Sequence, residues 1–387
     1  MRPATELVHA GERTTSGETA PLTVPIYETT TFIFDSVADV ERYQQGGMNG
    51  YLYSRYENPT VVALEQKVAA IDGAEMSLAF SSGMAAISTA LIGVLNAGDE
   101  VVCGAAIYGG TFHILKDLLP KFGIRSRFLS LEELAQPTRI FGPETRIVWF
   151  ESPINPTLRC VDVRSVAQAC REAGVLSVID NTFATPINQP VLSMGVDISM
   201  QSVTKYVNGH SDVTGGVLSG PRRLLEPLGK ARRLLGGVMD PMPAYAVGRG
   251  MKTMPLRVAQ HCSNALTVAQ FLEGHPRVAR VYYPGLPSHP DHEIAKRQMS
   301  AFGGVVTIDV KGGKDSAFGT FDRLKVIKRA ASLGGVESIC SLPILTSQYG
   351  LSDAELEEAG VSKGMIRISI GLEDAADLID DLDQALN

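Results

Sequence analysis

The chain has 387 residues and a mass of 41.4 kDa; 44% of the residues are apolar, 20% are charged, and the net charge is −7. At roughly 100–200 residues per domain this length predicts two domains, and the composition is that of a globular rather than a disordered chain. The basic residues form no block, which excludes nucleic acid as the main partner.

Cysteine usage and apolar runs indicate the compartment. The five cysteines are scattered and never spaced C-x-x-C, which fits a reducing compartment and argues against a disulfide framework or a cysteine-rich zinc site. The N-terminal stretch is polar and lacks the apolar core of a secretory signal. No apolar run is long enough to span a bilayer. We therefore predict a cytoplasmic protein without a membrane segment.

Residues 1–56 differ from the rest of the chain because they are polar, rich in Thr, Gly and Tyr, and show little periodicity. A disordered tail would fit this composition, but the runs 25–27 and 32–34 are too apolar for one. We expect an ordered arm that lies on another surface.

From residue 57 onward, helical and strand-like patterns alternate. Helices are predicted over 61–71, 83–95, 166–172, 258–272 and 374–386, and strands over 76–80, 100–103, 146–150, 175–179, 196–200, 304–310 and 365–370. This rhythm predicts an α/β fold with a mostly parallel, helix-covered sheet. The pattern shifts near Gly248, which divides the chain into a large domain over 57–246 and a smaller C-terminal α/β domain over 247–387.

Several common catalytic signatures are absent from the sequence. No G-x-G-x-x-G follows a strand, and no G-x-x-x-x-G-K-[ST] occurs, so neither nucleotide fingerprint is met. The segment 209–213 fails G-x-S-x-G because Val213 replaces the second glycine. His289 and His292 lie in a Pro-rich loop without a nearby third ligand, so no metal site is predicted.

An acid and an amine follow two successive strands. Asp180 ends the apolar run 175–179, and open α/β sheets bind ligands at the carboxyl ends of their strands. An alternative interpretation is a turn or helix-capping acid. Lys205 stands in the segment Ser202-Val203-Thr204-Lys205, which follows the next strand and precedes several glycines. A lone lysine is usually a solvated surface group, but this context favours a functional one.

Two further segments complete a possible cofactor site. The sequence Phe80-Ser-Ser-Gly-Met-Ala-Ala86 is typical of a strand, a tight turn and a helix start, where free N–H groups bind phosphate. Tyr108 precedes two glycines and offers a ring for stacking. An amine, a carboxylate, a phosphate cup and a stacking ring are what pyridoxal phosphate (PLP) requires of a protein.

Ten ordered motifs along the whole chain resemble those of the trans-sulfuration enzymes of cysteine and methionine metabolism. This family includes cystathionine and methionine γ-lyases and cystathionine γ-synthases, and it has fold type I of the PLP-dependent enzymes. The motifs are YSRYENPT (53–60), SSGMAA (81–86), YGGT (108–111), ESPINPT (151–157), DNTFATP (180–186), SVTKYVNGHSDV (202–213), RGMKT (249–253), YPGLPSHP (283–290), SLGGVES (332–338) and IRISIGLED (366–374).

The resemblance implies a role for each matching residue. Lys205 would form the Schiff base with the cofactor and shuttle protons, and Asp180 would pair with the ring nitrogen. Tyr108 would stack on the ring and act as acid or base on the leaving group. The phosphate would be held by Gly83, Met84, Ser202 and Thr204, together with Tyr53 and Arg55 from a neighbouring subunit. The N-terminal arm would thus complete a partner's site in a homotetramer built from dimers.

The resemblance also implies how an amino-acid substrate binds and reacts. Arg367 would grip its α-carboxylate, with Asn155 and Ser332 assisting. The expected reaction is γ-elimination on cystathionine, methionine or homocysteine, which gives 2-oxobutanoate, ammonia and a thiol. The alternative is γ-replacement, as in cystathionine γ-synthase or O-acyl-homoserine sulfhydrylase. A catalytically silent cofactor-binding protein is a third class, which the intact Lys205 and Asp180 argue against.

The sequence departs from the family where cystathionine-handling members carry charged side chains. Leu52, Val61 and His113 occupy three such positions, which favours a smaller or less polar substrate side chain. Methionine γ-lyases, in contrast, usually have cysteine where this chain has Gly110, and the common MTH stretch is replaced over 345–347. Glu337 occurs in several subgroups and does not decide between them. The chain thus lies between the labelled subgroups.

Overall fold

A computed structural model of the protein describes residues 1–12, 20–134 and 141–387. Its helices are α1 Pro3–His9, α2 Val37–Gln44, α3 Pro59–Asp72, α4 Gly83–Val94, α5 Gly109–His113, α6 Leu131–Leu134, α7 Val163–Ala173, α8 Thr185–Asn188, α9 Arg222–Leu235, α10 Pro241–Met251, α11 Met254–Glu273, α12 His292–Gln298, α13 Gly313–Arg323, α14 Asp353–Glu358 and α15 Ala375–Leu386. Its strands are β1 Met76–Phe80, β2 Glu100–Gly104, β3 Arg125–Leu129, β4 Thr145–Glu151, β5 Leu176–Asp180, β6 Ile198–Gln201, β7 Gly216–Gly220, β8 Val278–Tyr282, β9 Val305–Val310, β10 Lys328–Arg329, β11 Ile339–Ser341 and β12 Met365–Ser369.

The larger sheet has the order β1-β7-β6-β5-β4-β2-β3, and β7 alone runs antiparallel to its neighbours in it. Trp149 and Phe150 are consecutive in β4 and therefore point to opposite faces, yet both are fully buried. Helices cover both faces, as expected for a largely parallel sheet. The predicted mostly parallel, helix-covered sheet is confirmed.

Local sequence signals explain where the covering helices begin and end. α3 begins after Asn58, whose side chain accepts the Thr60 N–H, and has Pro59 in its first turn. α7 begins after Asp162, which accepts from the Ser165 N–H, and ends at Gly174 in the left-handed conformation. Each covering helix returns the chain to the start of the next parallel strand. The carboxyl ends of these strands therefore lie at the same edge of the sheet, where the polar residues gather.

The smaller sheet has the order β10-β11-β12-β9-β8 and is antiparallel except between β10 and β11. Its core includes Ile308, Ile366 and Ile368 together with Leu378 and Leu382 of α15. The predicted smaller C-terminal α/β domain is confirmed. Its boundary at residue 247 stays a prediction; that residue lies within α10, and the first strand of the sheet is β8.

The N-terminal arm contains two short helices that the sequence did not predict. α1 packs on α3 through the fully buried Leu7. The arm also hydrogen-bonds Thr60, which receives the Tyr27 N–H and donates to the Pro25 carbonyl. α2 buries none of its residues, and Ile33 beside it is 95% exposed. Among the described residues, no helix has the length and apolar character needed to cross a membrane.

Candidate active site

The carboxyl ends of β4, β5 and β6 bring polar residues to one edge of the large sheet. Asp180 ends β5, and its Oδ1 accepts two hydrogen bonds from Thr182, one from the backbone N–H at 3.0 Å and one from the hydroxyl at 2.5 Å. Burial raises the pKa of Asp180, while the Thr182 bonds and the nearby Lys205 cation oppose that rise. The Asp180 side chain is therefore fixed at the carboxyl end of β5, the position predicted from the sequence.

Lys205 lies in the turn that follows β6. Its Nζ donates to Ser332 Oγ at 2.6 Å. Burial and the positive charge of Arg367 lower the pKa of Lys205 to about 8, although Asp180 acts in the opposite direction. An amine with this pKa is partly neutral near neutral pH and can act as a nucleophile or base.

Arg367 of β12 approaches the same amine from the small sheet. Its Nη1 donates to Asn155 Oδ1 at 2.9 Å and its Nη2 to the Ser332 carbonyl at 3.0 Å. The residue is only 8% exposed, its Nε has no partner, and no ion pair in the described part of the chain joins it to a carboxylate. Burial lowers the pKa of Arg367 to about 10. A buried guanidinium that pairs with no carboxylate in the described part of the chain is suited to bind the carboxylate of a substrate.

The turn before α4 forms the proposed phosphate cup. Ser82 caps the helix by accepting the Ala85 N–H at 3.0 Å, and the N–H groups of Gly83 and Met84 open the helix without carbonyl partners inside it. A Cβ added at Gly83 would lie 3.3 Å from Ser202 Oγ, so this hydroxyl borders the cup. The hydroxyl of Thr204 accepts the Gly215 N–H at 3.0 Å, and its predicted contact with the phosphate stays a prediction.

Tyr108 precedes α5 and is 46% exposed. Its backbone N–H donates to Glu151 Oε1 at 2.6 Å. A Cβ added at Gly110 would lie 2.6 Å from Tyr108 Cε1 and 2.6 Å from Met84 Sδ. The tyrosine ring and the phosphate cup therefore meet across Gly110.

Two residues of this site were missed by the sequence argument. Glu151 ends β4 as Asp180 ends β5, and the same carboxyl-end reasoning applied to β4 would have found it. Thr182 links two predicted residues, because its hydroxyl donates to Asp180 and accepts the Ser202 N–H at 2.8 Å. Nothing in the sequence distinguishes Thr182 from other threonines in turns.

Tyr53 and Arg55 do not join these groups within the chain. Arg55 donates from Nη1 to the Arg233 carbonyl at 2.8 Å, and its guanidinium lies 4.9 Å from the centre of the Tyr56 ring. Tyr53 is exposed and bridges Thr31 within the arm. Their predicted contact with a cofactor phosphate in a neighbouring subunit stays a prediction.

The residues present fit the predicted cofactor. A partly neutral lysine, a hydrogen-bonded carboxylate and an open helix start lie around one edge of the sheet. A Cβ at Gly83 would lie 3.3 Å from Ser202 Cβ and Oγ, so a side chain there would require Ser202 to shift by a few tenths of an ångström, and the cup is built mainly from backbone. Lys205, Asp180, Gly83, Met84 and Ser202 would hold PLP here.

Comparison with known proteins places this site in a family. The family profile "Cys/Met metabolism PLP-dependent enzyme" matches residues 4–387. L-methionine gamma-lyase of Fusobacterium nucleatum subsp. polymorphum is 41% identical to this chain, over 99% of this chain and 97% of its own length. Chloroplastic cystathionine gamma-synthase 1 of Nicotiana tabacum is 40% identical over 98% of this chain and 71% of its own.

A solved structure agrees along the entire fold. The cystathionine gamma-lyase of Lactobacillus plantarum, complexed with L-serine, superposes with a TM-score of 0.93 at 35% identity, over 100% of this chain and 98% of the other. The predicted PLP fold type I and PLP cofactor are confirmed, and relatives with lyase names support the predicted carbon–sulfur lyase class. The chain belongs to the PLP-dependent enzymes of cysteine and methionine metabolism.

Proposed function

We propose that the protein catalyses γ-elimination on a sulfur amino acid, which yields 2-oxobutanoate, ammonia and a thiol. The observation that carries this proposal is the chain of contacts from Arg367 to Ser332 to Lys205. A carboxylate bound at Arg367 would bring the α-carbon of an amino acid beside the Lys205 amine. Arg367 supplies the charge that such a substrate needs, since no protein carboxylate in the described part of the chain pairs with it.

Each residue then has a separate task. PLP, when bound, supplies an electron sink that stabilises negative charge at the substrate α-carbon. Lys205 Nζ would hold the cofactor and, once free, would take the α-proton of the substrate, a role for which a pKa of about 8 is suitable. Asp180 would favour a proton on the ring nitrogen, and the two hydrogen bonds from Thr182 hold the Asp180 carboxylate in place.

Tyr108 is the proposed acid–base group at the leaving sulfur. Its ring lies at the exposed side of the site, against Gly110 and Met84. The hydrogen bond to Glu151 fixes the backbone of Tyr108 at this position. A phenol in this position can deliver a proton to a departing thiolate.

Methionine or homocysteine is the favoured substrate type. Val61 is buried in the core, and His113 is exposed and bonded to Asp117 at 2.8 Å. Leu52 is uncharged, so none of these three positions offers the distal amino-acid end of cystathionine an aligned charge. A substrate with an apolar or short side chain, such as methionine or homocysteine, does not need a charged partner at these positions.

γ-Replacement is the second candidate, supported by the 40% identity to a cystathionine gamma-synthase. It would use the same lysine, arginine and tyrosine up to loss of the γ-substituent. A thiol would then add to the γ-carbon, whereas in elimination water releases ammonia from the α-carbon and leaves the 2-oxo acid. The two reactions are separated by the products that the enzyme releases.

We also propose that the protein is a homotetramer of two dimers whose sites are shared between subunits. Tyr53 and Arg55 would reach the partner's phosphate from the arm. The exposed apolar residues of that arm, Leu22, Ile33 and Val37, support a covered surface there.

The test is product analysis of the holoenzyme with L-cystathionine, L-methionine and L-homocysteine, each without added thiol. Release of 2-oxobutanoate with ammonia from any of them supports elimination, and the relative kcat/KM values rank the substrates. Lys205→Ala, prepared in parallel, must release none. If no oxo acid forms, elimination is wrong, and O-acetyl- or O-succinyl-homoserine with a thiol tests replacement.

A further inference from the structure

A second carboxyl group lies beside Asp180 at the edge of the large sheet. Glu151 ends β4 and is the direct register partner of Asp180 in the parallel pairing of β4 with β5. Its side chain is buried, with the residue only 4% exposed. Since parallel neighbours are about 4.8 Å apart, two charges at these positions would repel each other with little water to screen them.

The hydrogen-bond partners of the two acids are unequal. Asp180 receives an N–H and an O–H from Thr182 and faces the Lys205 cation. Glu151 receives one backbone N–H, from Tyr108, and no ion pair in the described part of the chain joins it to Lys, Arg or His. Donors and a cation stabilise the charged form of a carboxyl group, so the single charge of this pair belongs on Asp180.

The other titratable groups around Glu151 do not change this assignment. The Cys103 thiol of β2 lies near it, and burial raises the pKa of that thiol, which therefore stays neutral. Burial, then repulsion from Asp180, raises the pKa of Glu151 well above its ordinary value, and the Tyr108 N–H opposes the rise only in part.

We propose that Glu151 is a protonated positioning residue, which anchors Tyr108 through the backbone and leaves the one negative charge of the acid pair on Asp180. The inference rests on the roles proposed above for Asp180 and Tyr108. A protonated Glu151 can lie at the same desolvated edge as Asp180 without repelling the negative charge of Asp180. Asp180 therefore keeps the charge with which it attracts a protonated ring nitrogen.

The first test measures the proton itself. The infrared spectrum of the wild-type holoenzyme at about pH 9 should contain the carbonyl stretch of a buried, protonated carboxylic acid, and Glu151→Gln should remove it. Asp72 is a second buried acid, but burial raises its pKa only to about 7, so it is ionised at that pH. Asp72→Asn is the control and should leave the band unchanged. Absence of the band in wild-type protein overturns the proposal without requiring any variant to fold.

The second test uses the visible absorption of the bound cofactor. If Glu151 is neutral, Glu151→Gln removes no charge, and the pH midpoint of that absorption should stay within about 0.3 units. A downward shift of about one unit or more would mean that a negative charge had been removed, and would overturn the proposal. Asp197→Asn is a matched structural control, since Asp197 also accepts a backbone N–H, from Ser177 at 2.9 Å, but lies outside the site.

Kinetics test the anchoring of Tyr108. Glu151→Ala leaves the Tyr108 N–H without its acceptor and should lower kcat about tenfold with a smaller change in KM, and Glu151→Gln should recover most of that loss. Equal loss in both variants would overturn the neutral anchor. These outcomes are distinct from failure of the proposed function, because the infrared band and the absorption midpoint are independent of the substrate that the enzyme uses.

Discussion

Lys205 and Ser332 are 127 residues apart in the chain and are joined by a hydrogen bond of 2.6 Å. The lysine follows a strand of the large sheet, and the serine precedes β11 of the small one. The Ser332 carbonyl also accepts from Arg367. The reactive amine and the proposed carboxylate-binding guanidinium are therefore positioned by one residue, and the relation between the two sheets sets the distance between them.

The first prediction concerns the charge that Arg367 places near Lys205. Arg367→Gln removes a cation that lowers the pKa of Lys205, so that pKa should rise above its value of about 8. The rate at which apoenzyme combines with added PLP, followed by visible absorbance, depends on the neutral amine. The pH at which this rate is half-maximal should lie near 8 in the wild type and higher in the variant.

Arg146→Gln provides the control for that measurement. Arg146 stands near the amino end of β4, pairs with Asp99 at 3.2 Å and is directed to solvent, so the midpoint should not move. An unchanged midpoint in Arg367→Gln would mean that the two cations do not interact as the structure indicates.

The second prediction concerns Asp72, a buried acid outside the site. Gln201 Nε2 donates to its two oxygens at 3.0 and 3.1 Å, but burial still raises its pKa from 3.8 to about 7. The folded protein thus binds this proton more tightly than the unfolded chain. The resulting stability is fully present below about pH 4 and is lost as the pH rises through about 7.

Urea unfolding of wild type and Asp72→Asn at pH 5 and pH 8 checks this sign. Relative to wild type, the variant should gain on the order of 2–4 kcal/mol in free energy of unfolding between the two pH values, because it has no charge to bury. The exposed Asp353→Asn should show no such gain. A variant that loses equal stability at both pH values would contradict the raised pKa.

The sequence predicted much of this fold because strands and covering helices have strong local patterns. The bounds predicted for β1 agree with the observed strand, and Asp180 was located from the rule that ligands bind at carboxyl ends of strands. α1 was missed because a helix of seven residues owes its stability to packing, here of Leu7 on α3.

The contacts that tune the site could not be read from the sequence. The Lys205–Ser332 hydrogen bond depends on how the two sheets pack, as does the lack of an acidic partner for Arg367 among the described residues. The neighbourhood of Glu151 and Asp180 requires the strand order β4-β5 and its register. Such long-range relations have no local pattern, whereas the residue types that take part in them do.

The third prediction concerns the close approach at Gly110. Gly110→Ala would place a methyl group 2.6 Å from both Tyr108 Cε1 and Met84 Sδ, and at least one of them must move. The Tyr108 hydrogen bond to Glu151 is made by the backbone N–H and does not hold the ring, so we expect the ring to be displaced and kcat to fall about tenfold or more. Steady-state kinetics measure this, and cofactor affinity should change less.

Gly248→Ala is the matched control for Gly110→Ala. Gly248 lies within α10, and a Cβ added there meets nothing within 4 Å. Its kinetics should equal those of the wild type, with stability unchanged or slightly higher. Normal turnover in Gly110→Ala would exclude a role for the observed Tyr108 ring position in catalysis.

The fourth prediction tests whether sites are shared between subunits. Arg55→Ala and Lys205→Ala should each be nearly inactive, because one loses the proposed phosphate contact and the other the reactive amine. In a mixed dimer, however, the Lys205 of one chain meets the Arg55 of the other, and one intact site forms. Equal co-expression should therefore restore activity to about one quarter of wild type, since half of randomly paired dimers are mixed.

The control for this complementation is a second arginine of the same arm. Arg42 of α2 pairs with Asp39 at 2.7 Å and has no proposed contact with the cofactor, so Arg42→Ala should remain active alone. Co-expressed with Lys205→Ala, it should give only the mean of the two activities. If the Arg55→Ala mixture also gives only the mean, Arg55 acts within its own chain. Its contacts with the Arg233 carbonyl and Tyr56 would then be its whole function, and the arm would not complete a partner's site.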